Sequence, residues 1–99
     1  MLLRHAIGLV LRRRRLERGQ TLRQLAEEAT ISLPYLSEIE RGRKEVSSEI
    51  LWAICRVLDL SERQLLQDAA AEYALEPVSA AAETREVVTI SRGATLLAA

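Results

Sequence analysis

Apolar side chains recur at helical spacing along most of the chain, with capping and stop residues between the apolar runs. The first run has the i, i+4, i+7, i+8 spacing of an amphipathic helix and consists of Leu3, Ile7, Val10 and Leu11. This pattern predicts a helix with one buried stripe from residue 3 to about residue 18, which Gly19 ends.

A second and a third helix are predicted from their capping residues. Thr21 and Gln24, three residues later, form a capping box that opens the second helix. Ser32 caps the third helix, and Pro34 is tolerated in its first turn because an amide there would be unpaired anyway. The inward positions of the two helices are Leu22, Leu25, Ala26, Ala29, Leu36 and Ile39.

Two further helices complete the predicted domain. Ser47 or Ser48 caps the fourth helix, and Ser61 with Gln64 forms a second capping box that starts the fifth. Their inward positions are Leu51, Ile54, Cys55, Leu58, Leu65, Leu66 and Ala69. The pattern therefore predicts an all-α fold, a compact five-helix domain over residues 1–75.

Length and composition exclude several classes of protein. A chain of 99 residues allows one small domain, and it has no run of about 18 apolar residues that would span a membrane. The N-terminus lacks a charged-then-apolar segment with a cleavage site, so we expect a protein that is not secreted. A single Cys and a single His leave no disulfide, no evident metal site and no catalytic constellation. We expect a cytoplasmic protein that is not an enzyme, with no cofactor and no evident small-molecule ligand.

Charge is divided unevenly along the chain, although the formal net charge is zero. Residues 1–46 carry ten Arg and Lys against six Glu, a balance of +4. Residues 47–99 carry four Arg against eight Asp and Glu, a balance of −4. This asymmetry indicates an electrostatic partner for the basic half, or else an ordinary solvated surface.

The second and third predicted helices are separated by only Thr30 and Ile31 before the Ser32 cap. A short helix, a tight turn and another short helix inside a small helical domain make the helix-turn-helix arrangement. The second helix of such a pair fits the major groove of DNA, and the first directs its N-terminal amides at phosphate. The pattern therefore favours binding to double-stranded DNA.

The same segment carries a family resemblance. Residues 21–26 (Thr-Leu-Arg-Gln-Leu-Ala) and 31–42 (Ile-Ser-Leu-Pro-Tyr-Leu-Ser-Glu-Ile-Glu-Arg-Gly) resemble the phage-repressor and Cro type of helix-turn-helix protein. The first helix of that family is matched at Ile7, Gly8, Leu11, Arg15 and Gly19. The resemblance spans about residues 3–70 and implies a lambda-repressor-like DNA-binding domain.

The resemblance implies that the first turns of the third helix meet the bases, at Leu33, Pro34, Ser37 and Glu38. Ser37 can donate or accept a hydrogen bond, Glu38 can accept from a cytosine amino group, and Leu33 can touch a thymine methyl. The alternatives are a surface aliphatic near the core for Leu33 and a solvated charge for Glu38.

Phosphate contacts are predicted around these positions. Thr21 and Arg23 begin the second helix, and Ser32 caps the third. Tyr35 either offers its hydroxyl to phosphate or packs its ring. A basic loop around Gly42 contributes Arg41, Arg43 and Lys44. Such contacts position a protein on DNA without reading the sequence.

The run Arg12–Arg15 cannot face one surface, because side chains at about 100° per residue span most of a helix circumference. The family register implies that Arg15 turns inward to Glu40 as a structural ion pair. Arg14 stands where the family usually has Leu, so its stem is expected to pack while its head reaches water. Thr30 stands where the family turn often has Gly, which implies another geometry or local strain.

More narrowly, the chain looks like the bacterial Clp gene regulators at residues 1–5, 35–43, 47–49 and 54–56. That group activates transcription of genes for ATP-dependent proteases and chaperones. The resemblance implies a homodimer on a two-fold operator. Glu27 and Glu28 are candidates for a contact with RNA polymerase by position and charge. The alternative is an antitoxin of the same fold, which neutralises a toxin partner and autoregulates its operon.

Residues 76–99 form an Ala- and Ser-rich tail that we expect to be mostly flexible, with one strand-like run at residues 86–91. The last residues resemble the C-terminal tag that bacterial Clp proteases recognise, and they are Leu97, Ala98 and Ala99. The resemblance predicts that a Clp protease acts on this C-terminus as a degradation signal.

Overall fold

Five helices make up the described part of the chain. The computed structural model describes residues 1–75, in which the helices are α1 (Leu3–Glu17), α2 (Leu22–Ala29), α3 (Leu33–Glu40), α4 (Ser48–Val57) and α5 (Glu62–Tyr73). The predicted all-α fold is confirmed, with no strand within residues 1–75. None of these helices has the length and hydrophobicity that crossing a bilayer requires. The expectations for residues 76–99, including Leu97, Ala98 and Ala99, fall outside the described residues and stay predictions.

Side-chain caps start four of the helices where the sequence predicts them. A hydroxyl accepts a hydrogen bond from the amide three residues ahead at Thr21, Ser32, Ser47 and Ser61. The box at Thr21 is complete, because Gln24 Oε1 accepts from the Thr21 amide at 2.8 Å. The second predicted box, at Ser61, is only half formed. Gln64 donates its side-chain amide to Asp68 Oδ1 at 2.7 Å, since that i, i+4 partner is also in reach.

One hydrophobic core joins all five helices. Each helix contributes at least one fully buried side chain, among them Leu11, Leu25, Leu36, Ile54 and Leu65. α1 packs against α3 and α5, and α2 packs against α3 and α4. Because α1 and α2 both hold α3, the remaining side of α3 is left to solvent.

Two positions predicted to point inward are exposed instead. Leu3 is 54% exposed and Leu66 is 58% exposed. Leu3 is the first residue of α1, and the buried stripe begins one turn later, with Ile7. Leu66 follows the fully buried Leu65 and is rotated by about 100° from it, which turns it out of the stripe that Leu65 and Ala69 form.

Thr30 ends α2 in the left-handed region, at φ 59° and ψ 47°. The turn therefore has the geometry that suits glycine, and a β-branched residue occupies it. Left-handed backbone costs an L-residue about 1–2 kcal/mol. Of the two alternatives that the sequence leaves open, local strain is the one observed.

Candidate nucleic-acid interface

α2, a short turn and α3 form the helix-turn-helix unit that the sequence predicts. Thr30 reverses the chain after α2, and Ile31 donates its amide to the carbonyl of Ala26 at 3.0 Å. Ser32 then caps α3 with its hydroxyl. The two helices pack on each other, and their fully buried side chains are Leu25 and Leu36. This packing determines which side of α3 faces solvent.

The outward face of α3 carries three predicted site residues. Pro34, Glu38 and Arg41 follow at i, i+4 and i+7, so they line one side of the helix. Pro34 and Arg41 are exposed, and Glu38 is half-buried. Ser37 is half-buried beside this face. The structure thus brings most of the predicted base-contacting residues to one surface.

Leu33 and Tyr35 flank the outward face and are partly buried against the core. The Ser32 hydroxyl accepts a hydrogen bond from the Tyr35 amide at 3.2 Å, and Pro34 has no amide to donate. The amides of Ser32 and Leu33 have no acceptor within residues 1–75, so the N-terminus of α3 keeps two backbone donors beside its exposed side chains.

The N-terminus of α2 also keeps free donors. The capping box occupies the amides of Thr21 and Gln24, whereas those of Leu22 and Arg23 have no acceptor within residues 1–75. The exposed Arg23 side chain forms no ion pair there either. The Thr21 hydroxyl accepts one bond and still has a proton to donate. Together with the helix dipole, these donors suit an anion such as phosphate.

A basic loop follows α3, and α1 holds it in place. Gly42 turns the chain at φ 74°. Arg4 donates from Nε to the Gly42 carbonyl at 3.0 Å and from Nη1 to Glu45 Oε2 at 2.8 Å. The loop presents three exposed cations, which are Arg41, Arg43 and Lys44. Their backbone is therefore fixed against the rest of the domain.

Glu38 lies between two of these cations. Its Oε2 is 3.8 Å from Nη1 of Arg41 and 3.7 Å from Nη1 of Arg43. The carboxylate expected to accept from a cytosine is thus shared by two arginines expected to contact phosphate. Sequence reasoning missed this pairing, although the i, i+3 spacing of Glu38 and Arg41 was a signal for half of it.

Behind α3, Arg15 and Glu40 form a buried two-pronged ion pair. Arg15 Nε donates to Glu40 Oε2 at 2.8 Å, and Nη2 donates to Oε1 at 3.0 Å. Nη1 donates to the carbonyl of Gln20 at 2.9 Å. Hydrogen bonding to Glu40 raises the pKa of Arg15 above its ordinary value despite the desolvation that opposes it. The pair joins α1 to α3, so Arg15 does not belong to the exposed charges around the outward face of α3.

Two other arginines of the run on α1, Arg13 and Arg14, also have separate partners, whereas Arg12 is exposed and forms no ion pair within residues 1–75. Arg13 donates from Nη2 to Glu72 Oε2 on α5 at 2.8 Å, and this hydrogen bond raises the pKa of Arg13. The head of Arg14 was expected to reach water, but it donates to two carbonyls at the end of α4 instead. The acceptors, at 3.0 and 2.9 Å, are Leu58 and Asp59. The last carbonyls of a helix lack partners within the helix, and a cation satisfies them.

Comparison with known proteins identifies the family. A family model described as helix-turn-helix matches residues 11–65. The transcriptional regulator ClgR of Mycobacterium tuberculosis is 54% identical over 68 residues, which cover 69% of this chain and 61% of that protein. The crystal structure of the clp gene regulator ClgR from Corynebacterium glutamicum matches with a TM-score of 0.74 and 43% identity, and it covers 93% of both chains.

A more distant structure is that of a restriction-modification controller protein, C.Esp1396I, as a tetramer in complex with its natural 35 base-pair operator. It matches with a TM-score of 0.63 and 26% identity, over 71% of this chain and 97% of that one. The chain spans 61% of the length of the curated ClgR relatives it matches. The family consists of transcriptional regulators and not of enzymes. The chain belongs to the Cro/C1-type helix-turn-helix family and is similar to the clp gene regulators ClgR.

Proposed function

We propose that this chain is a sequence-specific DNA-binding regulator that binds a two-fold operator as a homodimer and activates genes for Clp proteases and chaperones. One observation carries the DNA-binding part. The exposed outward face of α3 is followed by the cations of the basic loop, and α2, which packs on α3, keeps free donors at its own N-terminus. A helix in the major groove needs such donors around it, because phosphates line both edges of the groove.

The residues then divide into two roles. Leu33, Pro34, Ser37 and Glu38 face the base edges, with Ser37 as the hydroxyl that can donate or accept. The phosphate contacts come from side chains and amides around them, which are those of Thr21, Arg23, Ser32, Tyr35, Arg41, Arg43 and Lys44. The first role determines sequence preference, whereas the second determines affinity and its dependence on salt.

We infer a homodimer from the short reach of one recognition helix. The eight residues of α3 read only a few base pairs, and two copies on half-sites about 34 Å apart read one operator. The controller protein C.Esp1396I, whose structure was solved as a tetramer on a 35 base-pair operator, supports assembly of several copies on DNA.

Activation requires a contact with the transcription machinery. Glu27 and Glu28 are both exposed near the end of α2, and Gln20 Nε2 donates to Glu28 Oε1 at 3.1 Å. We place the contact with RNA polymerase there, because this acidic pair is separate from the cations of the DNA-facing surface. The similarity to ClgR regulators favours this role over that of an antitoxin.

Arg43→Ala is expected to weaken binding to every duplex and to flatten the plot of log K against log salt by about one unit, because one phosphate contact is lost. Ser37→Ala is expected to keep the slope and to change the sequences selected from a random pool. Fluorescence anisotropy with labelled duplexes measures the affinity and the slope. Arg63→Ala, an exposed cation on α5, is the matched control and should change neither. A slope unchanged by Arg43→Ala would contradict the assignment.

Genome-wide mapping of bound sites tests the proposed target genes. We expect sites upstream of Clp protease and chaperone genes, because the similar proteins are clp gene regulators. Deleting the regulator should lower transcription of the genes that have a bound site upstream. Bound sites that avoid those promoters would refute the target assignment and leave DNA binding itself intact.

A further inference from the structure

Glu38 is an anion at the centre of a surface that otherwise presents cations and neutral donors. It lies on the outward face of α3, one turn after Pro34 and one turn before Arg41. Its carboxylate approaches the guanidiniums of Arg41 and Arg43 at 3.8 and 3.7 Å. All three side chains remain open to solvent, with 34% of Glu38, 58% of Arg41 and 63% of Arg43 exposed.

The neighbouring acids are occupied elsewhere. Glu40 is buried on Arg15, and Glu45 forms its ion pair with Arg4. Lys44 forms no ion pair within residues 1–75. Glu38 is therefore the carboxylate of the described chain that meets the loop cations, and it holds two of the three.

We propose that Glu38 is a built-in competitor of the DNA backbone for Arg41 and Arg43, and that it thereby limits affinity for DNA of any sequence. The proposal rests on the DNA-binding function proposed above. A carboxylate and a phosphate are alternative partners for a guanidinium. Direct charged hydrogen bonds have lengths of about 2.7–2.9 Å, so the longer contacts of Glu38 are ones that a phosphate oxygen can displace.

The competition has two consequences for binding. Each phosphate that pairs with Arg41 or Arg43 must first release those guanidiniums from the carboxylate. The released carboxylate then stays close to the phosphates and reduces the effective charge of the surface by one. Since the salt dependence of binding follows the number of phosphates neutralised, Glu38 should lower both the affinity and the salt slope for unrelated DNA.

The test compares the full chain with Glu38→Gln and with Glu62→Gln, using a labelled duplex of unrelated sequence over a range of NaCl concentrations. Glu62→Gln removes the same charge from α5, which packs against α1 and α4. Glu38→Gln should tighten binding about five- to tenfold at 0.1 M salt and steepen the salt slope by about 0.9, whereas Glu62→Gln should change neither. Because the Glu38 contacts are exposed, the variant should keep the melting curve of the wild type.

Three results would overturn the proposal. The first is a Glu38→Gln variant that binds the unrelated duplex as the wild type does. The second is an equal gain with Glu62→Gln, which would make net charge the cause. The third is an unchanged salt slope of Glu38→Gln on the unrelated duplex, which would leave Glu38 only the base-contacting role proposed above. Failure of the wild type to bind any duplex would instead refute the proposed function.

Discussion

Glu40→Ala is expected to lower the free energy of unfolding by about 3–5 kcal/mol, because it leaves the guanidinium of Arg15 buried without a counter-charge. The side chain of Arg15 is 11% exposed and that of Glu40 is 6% exposed, so water cannot replace the lost carboxylate. The free energy of unfolding of a whole domain is only about 5–15 kcal/mol, so the expected loss is a large fraction of the total stability. Urea unfolding followed by circular dichroism measures the change.

The matched control is Glu45→Ala, which also removes a Glu paired with an arginine of α1. Glu45 is 79% exposed, so its loss should cost less than about 1 kcal/mol. A double variant with Arg15→Met and Glu40→Leu removes both charges and should recover most of the stability. If Glu40→Ala were as stable as Glu45→Ala, the buried pair would not be the structural link described above.

Gly8→Ala is expected to lower the free energy of unfolding by about 2–3 kcal/mol, although alanine is the better helix former. A Cβ at Gly8 would lie 2.6 Å from the carbonyl oxygens of both Ile39 and Glu40. These are backbone atoms of α3, so α1 and α3 would have to move apart, and such overpacking costs about 1–3 kcal/mol or more. At an open helical site the same change would raise the free energy of unfolding by about 1 kcal/mol. A decrease at Gly8 would therefore show that the contact with the α3 backbone leaves no room for a Cβ.

Gly19→Ala is the control for this prediction. Gly19 has φ 69°, and a Cβ there would meet no atom of residues 1–75 within 4 Å, so its substitution tests backbone strain without a clash. We expect a loss of about 1 kcal/mol, smaller than that at Gly8. Thermal unfolding of the two variants shows which of them loses more stability. A stabilised Gly8→Ala protein would contradict the prediction, because it would show that α1 and α3 can move apart at no cost.

α1 emerges from these contacts as the support for the DNA-facing surface. Arg4 holds the basic loop, Gly8 allows a close approach of α1 to α3, and Arg15 binds the end of α3. None of these residues faces DNA in the proposed complex. Variants at Gly8 or Glu40 that still fold should therefore lose DNA affinity through the position of α3.

Local signals account for what could be predicted of the fold. Helical periodicity and side-chain caps involve residues within about four positions of one another, so the sequence is sufficient to locate them. That is why the five helices and the caps at Thr21, Ser32 and Ser61 agree with the structure. Helical periodicity does not predict burial at Leu3 and Leu66, because no neighbouring element covers these side chains.

The candidate site also combines features that local sequence signals predict with features that depend on distant parts of the chain. The short turn, the order of α2 and α3 and the basic residues after Gly42 were all evident in the sequence, because a helix-turn-helix is a local motif. Whether Glu38 faces a base, water or a cation was not, because that depends on how the loop after α3 folds back. The loop itself is held by Arg4, which is far away in the sequence.

By itself, the sequence determined five helices, their caps and a helix-turn-helix next to a local excess of positive charge. The tertiary structure alone decided the partners of Arg13 and Arg14, whereas the family register already implied the pairing of Arg15 with Glu40. Arg13, Arg14 and Arg15 are consecutive on one helix, yet they end on Glu72, on the carbonyls at the end of α4 and on Glu40. The physical reason is that a helix points successive side chains about 100° apart, so their partners belong to different elements that only folding brings together.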